Sequence, residues 1–484
     1  MGDPSPLVCG VACLLGAALL ASPAHRLRRK LLFVWAALSL LICLVPPTLR
    51  LCTQGEVREY TFAHYHLGAR YFAELGYDDL YGQATAAGVI DDISIVRDLS
   101  SYELIPAPTE RSARWSEARW GAFTADLAAL KSRQSDRSWT SWFKDKGYNA
   151  TPAWSATWGR LLGARPAGVA WFSSMGALDL AFLFVSLLVA AWAHGVLPSL
   201  MTAAAIVLFY GSAPNLVAGP LVLDWLAAAI LCTCALKRGF MASAGVFLGW
   251  AALSRVFPLL LMAGPLWAAY RRPSLRPTVS RFALGFGLML LVGAGLGATT
   301  HRGPSAWGEF VSKISTHAER HHQGDRRIGL RPIIAWSPVG ERTDAEARTH
   351  RAETWSGRRP LALFAAGLSV LLWLWLLGRG LVALEGRSPG RAMLILLGLS
   401  LPLCFALVTL SRYYQLLPTL GLLLLPREGR NPQPLAALLL ASFGVVWFGI
   451  QVLPDASAYQ LANVLWALLV AVVMLQWGRP LRPR

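Results

Sequence analysis

Charge is scarce in this chain, and negative charge scarcest: Asp, Glu, Lys and Arg make up 15 % of 484 residues, with 27 acids against 45 Lys and Arg, a net +18. Hydrophobic residues reach 55 % and are gathered into long blocks instead of recurring at helical or strand spacing, which excludes a soluble domain. The excess positive charge would suit nucleic acid, but it lies in short clusters between apolar blocks. Membrane topology accounts for that placement, so no nucleic-acid partner is expected. The seven cysteines fall in or beside apolar blocks, and Cys232 and Cys234 are wrongly spaced for a zinc knuckle. No basic residue precedes the first apolar run, whereas Arg26, Arg28, Arg29 and Lys30 follow it, an order that excludes a cleaved signal peptide. Residues 6–22 read as a short first helix or an interfacial one.

A bilayer core needs roughly 20 apolar residues per helix. Blocks near that size run over 31–51, 169–193, 197–212, 216–236, 241–253, 256–270, 282–298, 360–377, 392–410, 413–425, 435–453 and 461–477. With the 25–30 cluster inside, alternate counting also puts Lys237-Arg238, Arg271-Arg272, the 379–391 arginines and the Arg-rich C-terminus inside, in agreement with the positive-inside rule. The expected fold is an all-α polytopic membrane protein of 12 or 13 transmembrane helices with two large extracytoplasmic loops. Its divisions are N-terminal helices (1–51), a first loop with amphipathic helices (52–168), central helices (169–299), a second loop (300–359) and C-terminal helices (360–484).

The first loop opens on residues 56–72, where Phe62, Tyr65, Ala69 and Phe72 recur at three or four, the spacing of an amphipathic helix lying on the membrane surface. Desolvation there raises a carboxylate's pKa and suits it to general-base work, so Glu59 is the first candidate, with Asp78 and Asp79 next. Asp91-Asp92 leaves a divalent metal open, although no cofactor is required. Trp115, Trp120, Trp139, Trp142, Trp154 and Trp158 suit lid helices resting on lipid headgroups more than sugar stacking. Asn149-Ala150-Thr151 matches the glycan-acceptor pattern.

In the second loop, Lys313, His317, His321, His322, Arg326 and Arg327 form a dense cationic stretch suited to a phosphate. Zinc on the three histidines is disfavoured by those arginines. Arg255 and Arg412 interrupt apolar blocks near the outer face, where a charge is functional, paired or snorkelling, and Asp179 and Asp224 are their available partners.

At these residues the chain resembles the GT-C superfamily of membrane glycosyltransferases, and among them the polyprenol-phosphate-mannose-dependent glycosyltransferase family 87. The likeness rests on Tyr65, Ala69-Arg70, Gly76 and Tyr81, on Lys237-Arg238-Gly239 with 254–258, on Phe310, Lys313, His317 and Gly329-Leu330, and on Ser411-Arg412-Tyr413-Tyr414. Where that family carries an Asp, this chain has Thr61, which moves the base to Glu59, Glu56, Asp78 or Asp79.

The resemblance implies transfer of a mannose-like sugar from a polyprenyl-phosphate donor to a glycan, lipid or protein acceptor outside the cytoplasm. Arg255, His321, His322, Arg326, Arg327 and Arg412 are the candidates for the donor phosphate; His64, Tyr65, His66, Tyr81 and Tyr413 are those for the substrate. A transporter or flippase of lipid-linked sugars is the alternative, and the lack of internal repeats weighs against it. The Gly- and Arg-rich composition suggests a bacterial inner membrane, with the site on its periplasmic face.

Overall fold

A computed structural model describes residues 5–22, 25–133, 136–209, 219–320, 327–336, 344–384, 387–424, 433–452, 460–461, 463–465 and 467–468. The described residues are mostly helical, and the sheets among them are two short antiparallel pairs, Ile95–Arg97 with Leu104–Pro106 and Arg327–Ile328 with Leu410–Ser411.

Among the described residues, five helices are long and apolar enough to cross a membrane: Leu27–Gln54, Val169–His194, Pro273–Ala298, Glu353–Gly378 and Pro389–Leu407. Their outward faces carry large apolar side chains without protein cover, among them Phe184, Leu188, Leu284, Leu291, Phe364 and Leu371. Continuous apolar faces of this kind mark contact with lipid. Pro389–Leu407 differs, being enclosed along most of its length by the others.

Several expected spans are shorter or broken. Block 197–212 forms the 13-residue helix Val196–Leu208, about 20 Å long. Block 256–270 splits into a 3-10 turn, Phe257–Met262, and the helix Ala263–Arg271. Block 413–425 is mostly 3-10 helix, Arg412–Leu420, before Gly421–Leu424. In block 216–236 the helix begins only at Asp224. Most of block 461–477 lies outside the described residues.

Small residues decide the closest helix contact. Met241–Ser254 crosses Arg276–Ala298 where Gly245 faces the Phe282 backbone and Gly285 faces the Ala242 carbonyl; a methyl group at either position would meet backbone atoms at 2.0 and 1.9 Å. Glycine pairs let backbones approach where lipid supplies no hydrophobic drive.

The segment between Gln54 and Val169 folds as a body with its own aromatic core. Phe62, Tyr71, Tyr77, Tyr81, Phe123, Trp139, Trp142, Phe143, Tyr148 and Trp154 are all buried. This corrects the interfacial reading of the tryptophans: Trp139, Trp142 and Trp154 are fully enclosed, Trp115 nearly so, and the rings meet edge-on, the arrangement their quadrupoles favour.

The surface helix expected over 56–72 is corrected as well. It is a broken helix, Glu59–Phe62, a π-helical turn Ala63–Leu67, then Gly68–Arg70, and Phe62, Ala63, His64, His66, Leu67 and Gly68 are buried, leaving no apolar face free for lipid. A second π turn, Ser155–Gly159, packs beside it, with Gly159 against Ala69.

Candidate functional site

The aromatic core supports a polar turn. Helix Asp136–Trp142 ends at its buried Trp142, and the chain reverses through Lys144, Asp145, Lys146 and Gly147. Gly147 has φ +69°, and its N–H donates to the Tyr81 hydroxyl at 2.9 Å. The space a side chain would need there is filled by Leu99.

His64 fixes Tyr81 in turn. Its Nδ1 lies 2.9 Å from the Tyr60 carbonyl, so that nitrogen carries the proton, and its Nε2, 2.7 Å from the Tyr81 hydroxyl, accepts. Burial, chiefly, pushes the imidazole down to about 4, which keeps it neutral. His64 and Tyr81 thus support the turn, and both are buried.

The turn presents two adjacent opposite charges, Asp145 and Lys146, 3.5 Å apart and about a third exposed (31 and 30 %). They belong to a charge cluster whose other walls are Arg97 and Arg327, with His317 beside them. Burial alone would raise the Asp145 carboxyl, but Lys146, His64, the Tyr60 hydroxyl and Arg327 outweigh it and hold it below the ordinary carboxylate range. Lys146 is pushed down to about 7 by burial and by the cations Arg327 and Arg97, against the pull of Asp145.

Each wall is anchored elsewhere. Arg97 donates to the Lys144 and Tyr102 carbonyls at 2.8 and 2.6 Å. Arg327 bonds through Nη1 to the Ser411 hydroxyl. His317 meets the Tyr102 hydroxyl at 3.1 Å, and burial with Arg327, Lys146 and Lys313 lowers it to about 3.

At the rim, Lys313 donates to the Leu99 carbonyl at 2.6 Å and stands 3.5 Å from Asp78. Burial lowers Lys313 to about 8, opposed by Asp78 and Asp98. Asp78 keeps more than half of its side chain exposed, and partial burial raises its carboxyl in spite of Lys313. Asp79, raised by burial too, is engaged by Gln83 and Arg114.

Other expected site residues stand elsewhere. Glu59 is ion-paired with Arg133 at 3.0 Å. His66 is corrected from substrate contact to framework: it is fully buried, with Nδ1 3.2 Å from the Leu162 carbonyl and Nε2 3.5 Å from Asp126, which also accepts from Tyr71 and from Ala167 N–H. Tyr65 packs on Tyr148 and Trp154 and lies 3.5 Å from Arg255, whose guanidinium also donates to the Ser254 carbonyl. Asp224 accepts from Ser254 and Trp250, and Asp179 accepts from the N–H groups of Val222 and Leu223. Asp91 pairs with Lys131 at the surface, and among the described residues no three His, Cys, Asp or Glu side chains group as metal ligands. The Thr151 hydroxyl of the glycan-acceptor pattern is buried and used internally, on Leu253 and Trp154. The side chains of Arg412 and Tyr413, and all of His321, His322 and Arg326, lie outside the described residues.

Asp145, Lys146, Arg97, Tyr60 and Tyr102 were not singled out from sequence. Their one sequence signal is an Asp-Lys pair set between Trp142-Phe143 and Gly147-Tyr148, a charged turn braced by aromatics on both sides. No protein-family model, no curated protein and no solved structure matches the chain.

Proposed function

We propose that the chain is a polytopic membrane glycosyltransferase of GT-C-like architecture, with its two polar segments outside the cytoplasm of a bacterial inner membrane. It moves a mannose-like sugar from a polyprenyl phosphate to a glycan, lipid or protein acceptor. The observation that supports this reading is the cluster in which Arg97, Lys146 and Arg327 gather at the Asp145 turn, together with the half-exposed Asp78 beside the buried Lys313. A membrane-borne phosphate is the anion such a site would meet.

In this reading Lys146 and Arg327 hold the donor phosphate. Asp78 takes the proton of the acceptor hydroxyl while its oxygen bonds the anomeric carbon. The carbon–oxygen bond to the phosphate breaks with inversion, and the charge left on the phosphate is met by the clustered cations. A carboxylate with a raised pKa suits that task better than Glu59, which is neutralised by Arg133.

The test is transfer from radiolabelled polyprenyl-phosphate sugars to a membrane-lipid extract by the detergent-purified protein. Asp78→Asn should abolish transfer and Glu59→Gln should retain it. No donor consumption by wild type, together with movement of labelled lipid-linked sugar across proteoliposomes, would replace this reading with the flippase.

A further inference from the structure

Asn463 is a fully buried amide in an otherwise apolar stretch, Leu461 to Leu468. A buried amide is costly unless both of its ends find partners, and here they do. Its Oδ1 accepts the Gly329 N–H at 3.0 Å, and its Nδ2 donates to the Arg327 carbonyl at 2.9 Å.

Those two backbone groups are two residues apart on one strand. Accepting from one and donating to the other is what a single residue of a neighbouring parallel strand does through its C=O and N–H. Asn463 therefore stands in for a third strand beside Arg327–Ile328, which already pairs Arg327 with Ser411 and Ile328 with Leu410.

Gly329 belongs to the same device. Its φ is +139°, and a methyl group there would stand 2.7 Å from the Val408 carbonyl and 3.1 Å from that of Phe405. Only glycine passes through this gap and still offers its N–H to Asn463. The guanidinium end of Arg327 is held separately by Ser411, leaving the side chain 5 % exposed.

We infer that Asn463 is a positioning residue for the anion site: its amide clamps the strand 327–329 and so sets where Arg327 faces a bound phosphate. The inference rests on the charge cluster being a phosphate site. It ties the last described stretch of the chain to a charge more than a hundred residues earlier.

The experiment is calorimetric titration of the full-length protein in detergent with farnesyl methyl phosphate, using farnesol as the uncharged control. Displacing a charged contact by about 1 Å costs on the order of 10- to 100-fold, so Asn463→Leu should weaken phosphate-diester binding by about that factor and leave farnesol unchanged. Asn463→Asp, isosteric but with no donor for the Arg327 carbonyl when ionised, should behave alike at about pH 8; its melting temperature guards against a folding defect in the leucine variant. Adding Asn463→Leu to Arg327→Ala should cost little beyond Arg327→Ala alone, because both act through one guanidinium. Wild-type affinity in both Asn463 variants, or losses that add fully with Arg327→Ala, would overturn the clamp. Equal binding by wild type and Arg327→Ala, or no preference of wild type for the phosphate over farnesol, would instead sink the phosphate site beneath it.

Discussion

Replacing Lys146 with Met removes one cation of the cluster while keeping much of the side-chain volume. At about 4 Å and an effective dielectric of about 20, a cation and a phosphate attract by roughly 4 kcal/mol. Asp145 already competes for this ammonium at 3.5 Å, so the net value should resemble a charge-assisted hydrogen bond, about 1.5–3 kcal/mol. That is roughly a 10- to 150-fold loss of affinity. The sign of the pH dependence follows from the depressed value near 7. A bound anion favours the protonated amine, so wild-type affinity for farnesyl methyl phosphate, whose own charge is constant over this range, should climb as pH falls from about 9 through about 7. His64 and His317, held at about 4 and 3, stay neutral there, and Lys313, at about 8, supplies a smaller step. Lys146→Met should keep only that upper step. The free protein should show the converse: between about 7 and the ordinary 10.5 the unfolded chain binds the extra proton, so stability rises with pH, and the substitution flattens the slope. Calorimetry across pH measures the first and thermal melting the second. Binding by Lys146→Met within twofold of wild type at about pH 6, or an unchanged pH profile, would refute the reasoning.

Asp126→Ala should destabilise the polar body by about 3–5 kcal/mol, because Tyr71, Arg70, His66 and the Ala167 N–H lose a shared buried acceptor; the melting temperature reports it. Burial raises the Asp126 carboxyl, but His66, Ala167 N–H and Tyr71 outweigh it and hold it below the ordinary value. Its contribution is therefore full above the unfolded-chain value and fades as pH falls through the lower native one. Leu288→Arg, on the outward face of Arg276–Ala298, should cost about 2.5–3.5 kcal/mol of membrane insertion, seen as loss of the membrane-integrated fraction on alkaline extraction.

Much of the membrane part was legible because apolar runs are a one-dimensional signal. Val169 and Met241 begin helices where the blocks begin, and the long outward faces follow from composition. Composition could not say where an apolar run stops being α-helix. Phe257–Met262 is wholly apolar, and Arg412–Leu420 continues an apolar block, yet both wind as 3-10 turns. The site was less legible. Arg327, Asp78, Lys313 and His317 stood out because they cluster in sequence or follow a motif. Asp145, Lys146 and Arg97 act together only after the Trp142 and Tyr81 packing brings a turn and a strand to one wall, and no local spacing encodes that meeting. The tryptophans misled for a related reason: the ring that suits a lipid interface also suits a dry core, and only folding decides between them.

The two π turns make chain length a structural variable. Each residue advances an α-helix by about 100°, and Ala63–Leu67 holds one more residue per turn than its flanks allow. Loss of a single residue there would restore a regular helix and swing everything before it about a quarter-turn relative to Arg70, separating His64 from Tyr81 and the Asp145 turn from its brace. Substitutions along 63–67 can be repaired one side chain at a time, whereas a deletion has no local remedy. In this segment the number of residues is held more strictly than their identity, so a length count over 59–70 is a sharper test of a true relative than percentage identity.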